Sequence, residues 1–263
     1  MAVVNVTPDS FSDGGTTLAP EDAIAHGLAL VSQGADILDV GGESTRPGAH
    51  PVSADEQMRR VLPVITGLRR ASDVPISIDT TSAAVAAAAL EAGAGIVNDI
   101  SAFRFDRSML PLLARTGVPA VAMHTLGESL KMQDDPRYED VVATVRSHLA
   151  ERLEACARAG VDPSQILVDP GIGFGKRLEH NLAILRHLPE LASLGSPILV
   201  GTSRKRFLGE ITGREVDGRG DATLASCALA IAMGAHVIRV HDAAGGRDVA
   251  RVVDAIAPGS TAR

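Results

Sequence analysis

The chain has 263 residues, 45% hydrophobic and 22% charged, and its 25 Lys and Arg against 32 Asp and Glu give a net charge of −7 with His neutral. That length suits a single α/β domain with its own core, and the acidic balance argues against non-specific binding to nucleic acid or to an anionic membrane. Five Phe, one Tyr and no Trp are too few for a base-stacking platform, while two cysteines, Cys156 and Cys227, make no disulfide scaffold and suit a reducing cytoplasm.

Short apolar runs recur along the chain: Ala2–Val6, Asp36–Val40, Ile76–Asp79, Ile96–Ile100, Ala120–Met123, Ile166–Asp169, Ile198–Val200 and Val237–Val240. They are rich in Val and Ile and apolar at nearly every position, as strands buried on both faces are. Met1 leads into the first run without a charged stretch, so no secretory leader is expected. Helical segments lie between the runs. Pro20-Glu21-Asp22 opens one, which Gly34 closes. Ser53-Ala54-Asp55-Glu56 is a capping-box pattern ahead of the next. Ala83–Ala92 ends at Gly93, Asp140–Ala159 at Gly160, Asn181–Leu194 at Gly195 and Ala222–Met233 at Gly234. From Ala222 to Ile238 there is no Asp, Glu, Lys or Arg, but Gly234 divides the stretch, so it reads as a buried helix followed by a buried strand and not as a membrane span. Strand-then-helix order repeated eight times implies parallel strands closing into a single (β/α)8 TIM barrel over residues 1–263. An open doubly wound sheet is the alternative.

In such a barrel the chemistry sits at the C-terminal ends of the strands. Those ends carry Asn5, then Thr45 and Arg46, Asp79, Asn98 and Asp99, Met123 and His124, Asp169, Ser203 with Arg204 and Lys205, and finally Arg239, His241 and Asp242. A polar or charged group at all eight mouths is the first functional signal. Asp79 and Asp169 could each be only a helix cap. Aimed together at one mouth with Asn98, they make an acceptor-rich floor for a flat heterocycle bearing several N–H groups. Ser203-Arg204-Lys205-Arg206 gathers cations at a helix start, where the helix dipole disfavours them, so they suit an anion or a ring carbonyl. Arg206 best fits a solvated face, Lys205 least. Arg239 and His241 alternate on the last strand and join Arg46 and Asn5 as an oxyanion site.

Other chemistries find no support. Gly171–Lys176, GIGFGK, fails the P-loop pattern at Pro170 and Arg177 and the dinucleotide pattern at Lys176, so its glycines are read as permitting close backbone approach. There is no zinc spacing of His and Cys and no G-x-S-x-G. Thr7–Gly15 and Gly41–Ala49 are glycine-rich loops of the length that act as lids.

Taken in order, NVTPDSFSDGG, DVGGESTRPGA, SIDT, VNDIS, AMH, VDPGIGFGK, VGTSRKRFLG and RVHD form a set that resembles the dihydropteroate synthase family across essentially the whole chain. The resemblance implies condensation of a pterin diphosphate with p-aminobenzoate, inhibition by sulfonamides, a homodimer through the late helices and Mg2+ as cofactor. It implies that Asp79, Asn98, Asp169 and Lys205 hold the pterin, walled by Ile100, Met123, Phe174 and Gly201. It assigns Asn5, Arg46, Arg239 and His241 to the pyrophosphate, with Asn5 also meeting the metal, and Phe11, Thr45, Pro47 and Ser203 to p-aminobenzoate. Asp79, Asp169, Arg46, Lys205 and His241 would carry catalysis. Two departures stand out: Gly127–Gln133 replaces the usual G-x-P-x-T-M-Q, and Ala102-Phe103 stands where glycine is common. A methyltetrahydrofolate–corrinoid methyltransferase shares the pterin grip without needing the anion groups, and a catalytically silent pterin-binding paralogue is a further alternative.

Overall fold

The structure, a computed structural model, describes residues 1–7, 19–44, 51–127 and 136–257. Eight parallel strands alternate with helices: β1 (Ala2–Asn5), β2 (Leu38–Gly41), β3 (Ile76–Asp79), β4 (Ile96–Asp99), β5 (Ala120–Met123), β6 (Ile166–Asp169), β7 (Leu199–Val200) and β8 (Val237–Ile238). The first six pair in sequence order, and β7 pairs with β8. Two seams close the ring. Val168 bridges Ile198, its N–H donating to the Pro197 carbonyl at 2.9 Å, and Ala2 bridges Val240, whose N–H donates to Met1 O at 3.0 Å. The fold is therefore the (β/α)8 barrel, not the open sheet.

The helices are α1 (Pro20–Ser32), α2 (Ala54–Ala71), α3 (Ala83–Glu91), α4 (Met109–Thr116), α5 (Val141–Arg158), α6 (Leu178–Arg186), α7 (Arg206–Thr212), α8 (Gly220–Ala232) and α9 (Ala243–Ile256). Gly34, Gly93 and Gly234 take φ of +97°, +113° and +101°. The following Ala35, Ala94 and Ala235 N–H groups return to Leu30, Ala89 and Ala230 at 2.9–3.0 Å. This is the Schellman ending that the repeated Gly-Ala foretells. Ser53 accepts from Glu56 N–H at 3.3 Å, but the Glu56 carboxylate turns to Arg60 at 2.7 Å, so only half of the capping box forms.

Three expectations change. Residues 181–194 are not one helix: α6 stops at Arg186 and a 3-10 helix follows over Leu188–Leu194, because Pro189 has no N–H to continue the ladder. Two helices lie outside the segments expected from the sequence: α4, eight residues with Pro111 inside it, and the fourteen-residue α9. Helix α8 is buried on one face only, with Leu229 61% exposed on the other. Among the described residues no helix is long and apolar enough to cross a membrane.

Strand geometry decides what the site receives. Leu38 and Val40, Ile76 and Ile78, and Ala120 and Ala122 point outward into the core shared with the helices. Each larger member contributes about 1.5–3 kcal/mol by its burial. The alternate residues then face the barrel axis. Met1, Val121 and Leu199 fill the lower interior, with Ile37, Leu167 and Val237 packed against them. Above that plug, the register aligns Asn5 with Gly41, Gly41 with Asp79 and Asp79 with Asn98 on one rung, and Met123 with Asp169.

Candidate active site

A cavity of about 1010 Å³ opens at the C-terminal end of the barrel. Asn5, Asp79, Asn98, Ile100, Met123, Asp169, Phe174, Gly201, Ser203, Lys205, Arg239 and His241 all line it. The rung register brings most of the polar groups at the eight mouths to this one space. Phe11, Thr45, Arg46 and Pro47 lie outside the described residues, as do most of both glycine-rich loops and Glu128–Gln133. Three mouth residues go elsewhere. Asp242 caps α9, accepting from Gly245 N–H at 3.0 Å. Asp99 accepts from the Ser101 N–H and hydroxyl, each at 2.7 Å, away from the cavity. His124 packs behind it, against Tyr138 and His148. Arg206 pairs with Glu210 at 2.7 Å on the surface, although its residue also borders the cavity's outer edge.

The floor is acidic and desolvated. Asp169 is buried and accepts from Gly171 N–H at 2.7 Å; burial raises its carboxyl to about 6, while Gly171 and the Lys205 charge pull it back. Burial lifts Asp79 to about 7, opposed chiefly by Arg239. Both carboxyls thus titrate near neutrality, as groups that must grip a polar ligand inside a dry pocket do. Gly41 sits between Asn5 and Asp79, and a Cβ there would stand 3.5 Å from the Asp79 Cβ and 3.9 Å from Asn5 Oδ1.

Cations face that floor. Lys205 is the N-cap of α7, and its Nζ lies 4.0 Å over the centre of the Phe174 ring, a cation–π contact. Burial lowers this ammonium to about 8, with Arg239 adding to the shift. The Arg239 guanidinium donates from Nε to Asp39 Oδ2 at 2.6 Å and from Nη2 to Asp79 Oδ2 at 2.8 Å. His241 Nδ1 is 2.9 Å from Ser203 Oγ, which also accepts the His241 backbone N–H at 3.2 Å.

Asp39 joins the site although it lies inside an apolar run. It is fully buried on β2, and its Oδ2 accepts from both Arg239 and Asn98 Nδ2, the latter at 3.0 Å. Its Oδ1 has no hydrogen-bond partner among the described residues. Asp39 therefore fixes one side chain of the floor and one of the cationic wall together. The signal was a charged residue in the middle of an apolar run, which is costly to bury unless paired.

Among the described residues no three His, Cys, Asp or Glu gather as a metal site. The acceptors and cations facing the cavity suit a ligand with an N–H-rich ring at one end and negative charge at the other.

The pterin binding enzyme family matches residues 1–241 of the chain. A dihydropteroate synthase of Mycobacterium leprae is 48% identical over 97% of this chain and 92% of its own length. A Xanthomonas albilineans dihydropteroate synthase solved with 4-aminobenzoic acid superposes with a TM-score of 0.91 at 48% identity, covering 97% of this chain and 91% of that one. A Yersinia pestis dihydropteroate synthase in complex with a sulfonamide drug gives 0.93 at 40% identity, covering 97% and 92%.

Proposed function

Because the chain belongs to the pterin binding enzyme family and its relatives there are dihydropteroate synthases, we propose that it joins 6-hydroxymethyl-7,8-dihydropterin diphosphate to p-aminobenzoate, giving 7,8-dihydropteroate and pyrophosphate. One observation carries this reading: the acidic floor of Asp79, Asn98 and Asp169 and the cations Lys205 and Arg239 line one cavity. Ring and diphosphate of a single molecule can engage both.

The floor carboxylates and Asn98 pair with the pterin's N–H groups, and Lys205 donates to a ring acceptor. Ile100, Met123, Phe174 and Gly201 wall the ring. The bond between the pterin methylene carbon and the bridging oxygen then breaks, and its electron pair leaves with pyrophosphate. Arg239 and His241 at the mouth stabilise that charge, together with Arg46. The methylene carbon becomes cationic, and Asp79 and Asp169 stabilise it electrostatically. The neutral aniline nitrogen of p-aminobenzoate, framed by Ser203 with Phe11, Thr45 and Pro47, attacks it. The new C–N bond forms and the surplus proton passes to pyrophosphate or solvent. No strong base is needed, because the aniline lone pair is already free.

Mg2+ fits this cavity only as an ion carried by the diphosphate. The donor set offers it the Asn5 amide oxygen rather than a carboxylate cage, and Mg2+ commonly keeps substrate phosphates and waters as its other ligands. Bound there, it would neutralise charge on the leaving group.

A homodimer and a cytoplasmic location belong to the same reading. Ile211 on α7, Leu229 on α8, and Val252 and Ile256 on α9 are exposed by 55%, 61%, 57% and 77%. They offer apolar surface on consecutive packed helices to a second copy. The two thiols are buried and unpaired, consistent with a reducing compartment. Sulfonamides, which resemble p-aminobenzoate, would compete at its subsite.

The test is product formation followed by chromatography, with each substrate omitted in turn. Dihydropteroate that needs both substrates and is suppressed by a sulfonamide is expected. Saturable pterin binding without product would contradict the synthase reading in favour of a methyltransferase or a silent pterin binder.

A further inference from the structure

Lys176 ends the GIGFGK turn that the nucleotide patterns failed to explain, and the chemistry above leaves it without a part. Its side chain is buried, 5% exposed, at the back of the cavity. The ammonium is 2.9 Å from His124 Nδ1, donates to the Phe174 carbonyl at 2.9 Å and lies 3.5 Å from the His124 carbonyl. It thus ties the turn after β6 to the mouth of β5. The backbones are already in close contact there. Gly171 has φ +69°, and a Cβ on it would stand 1.9 Å from His124 O and 3.3 Å from Lys176 Nζ. Burying a lysine is expensive, and three acceptors around one ammonium are what such a position requires.

The turn that Lys176 secures presents two parts of the cavity. Phe174, whose carbonyl it holds, places its ring under Lys205 Nζ. Asp169, at the other end of the turn, lines the cavity floor and accepts from the turn's Gly171 N–H at 2.7 Å. His124 is held neutral by burial and by Lys176 itself, so its Nδ1 is free to accept.

We propose that Lys176 is a positioning residue for the pterin subsite, fixing through the Phe174 carbonyl the ring on which Lys205 rests. The proposal rests on the pterin reading of the cavity. It separates Lys176 from a merely structural lysine, because the p-aminobenzoate subsite stands on Ser203 and on residues of other loops.

The experiment compares the unaltered chain with Lys176→Met, similar in length and uncharged, and with Lys176→Gln, which keeps one N–H donor. Affinity for 6-hydroxymethylpterin is read by calorimetry, KM for p-aminobenzoate at saturating pterin diphosphate by turnover, and folding by thermal melting. The expected result is a loss of pterin affinity of about tenfold in Lys176→Met, as the Phe174 ring loses its anchor. Lys176→Gln should lie between, and KM for p-aminobenzoate should stay within about twofold of the unaltered chain. Pterin affinity changed by less than about threefold, or equal losses toward both substrates, would overturn the proposal. If Lys176→Met does not fold, Lys176→Gln carries the same criteria. An unaltered chain that binds no pterin would overturn the functional reading itself, an outcome distinct from any difference between variants.

Discussion

Arg239 and Asp79 meet across the barrel mouth, Nη2 to Oδ2 at 2.8 Å, so the same carboxylate that would grip the pterin also holds a cation of the anion subsite. Asp39 holds that guanidinium from below at 2.6 Å. The two halves of the cavity are thus electrostatically linked before any ligand enters.

That link makes ligand binding depend on pH. Burial sets Asp169 near 6 and Asp79 near 7, and it lowers Lys205 to about 8. Pterin affinity should rise as pH climbs through about 6 to about 7 and both carboxylates ionise, then fall above about 8 as Lys205 loses its proton. Calorimetric titration of a bare pterin across that range checks this, and a flat profile would refute it. Stability takes the opposite sign on the acid side. Asp79 has an ordinary value of 3.8, so between there and about 7 the folded chain keeps a proton that the unfolded chain has released. This group's contribution to stability therefore declines as pH rises through that window and is constant above it.

Removing the guanidinium should leave the buried Asp39 and the half-buried Asp79 facing each other without a cation. Arg239→Met is expected to cost about 3–5 kcal/mol of stability near pH 8, the usual loss when one partner of a buried pair is deleted. Near pH 5 the loss should shrink, because Asp79 is then protonated and needs no partner. Denaturant unfolding at both pH values reads the difference, and a loss independent of pH would contradict the assigned pairing.

These groups were unequally legible in the sequence. The strands announce themselves because both faces of a barrel strand are buried low down, so Val and Ile fill nearly every position. The polar residues at their ends then mark the mouth, as Asn5, Asp79, Asn98 and Asp169 do. Asp39 hid inside an apolar run, two residues before Gly41 on the same inward face, and only the ring closure that brings β8 beside β1 shows its partner Arg239. Lys176 was visible only as a failed nucleotide motif, since its acceptors His124 and Phe174 come together through tertiary contact. Residues 181–194 looked like one helix because the apolar spacing runs through Pro189 without a break. Ala102 and Phe103, at φ +51° and +65°, hold the left-handed backbone that glycine takes without cost.

Gly171→Ala tests the tight approach behind the floor. The new methyl group would meet His124 O at 1.9 Å in a backbone region that L residues enter at a cost. A loss exceeding about 2 kcal/mol is expected, since left-handed strain alone supplies about 1–2 kcal/mol. Thermal melting together with pterin calorimetry would show it, and an unchanged melting temperature would mean that the turn yields easily.

Leu229→Asp tests the proposed self-association. Placing a charge on the exposed face of α8 should leave the fold intact and shift sedimentation from dimer toward monomer. A variant that sediments like the unaltered chain would remove Leu229 from any interface.

If acidic floor and cationic mouth act on one diphosphate-bearing molecule, its two products must appear together. The most direct measurement is pyrophosphate and dihydropteroate followed in the same reaction, with Mg2+ and the pterin diphosphate, with and without p-aminobenzoate, for the unaltered chain and for Asp169→Asn. Equal amounts of the two products, appearing only with both substrates, are expected. In Asp169→Asn, kcat/KM should fall by the equivalent of about 2–4 kcal/mol, as the pocket trades a charged acceptor for an amide. Steady pyrophosphate release without dihydropteroate, or undiminished turnover in Asp169→Asn, would contradict that shared action.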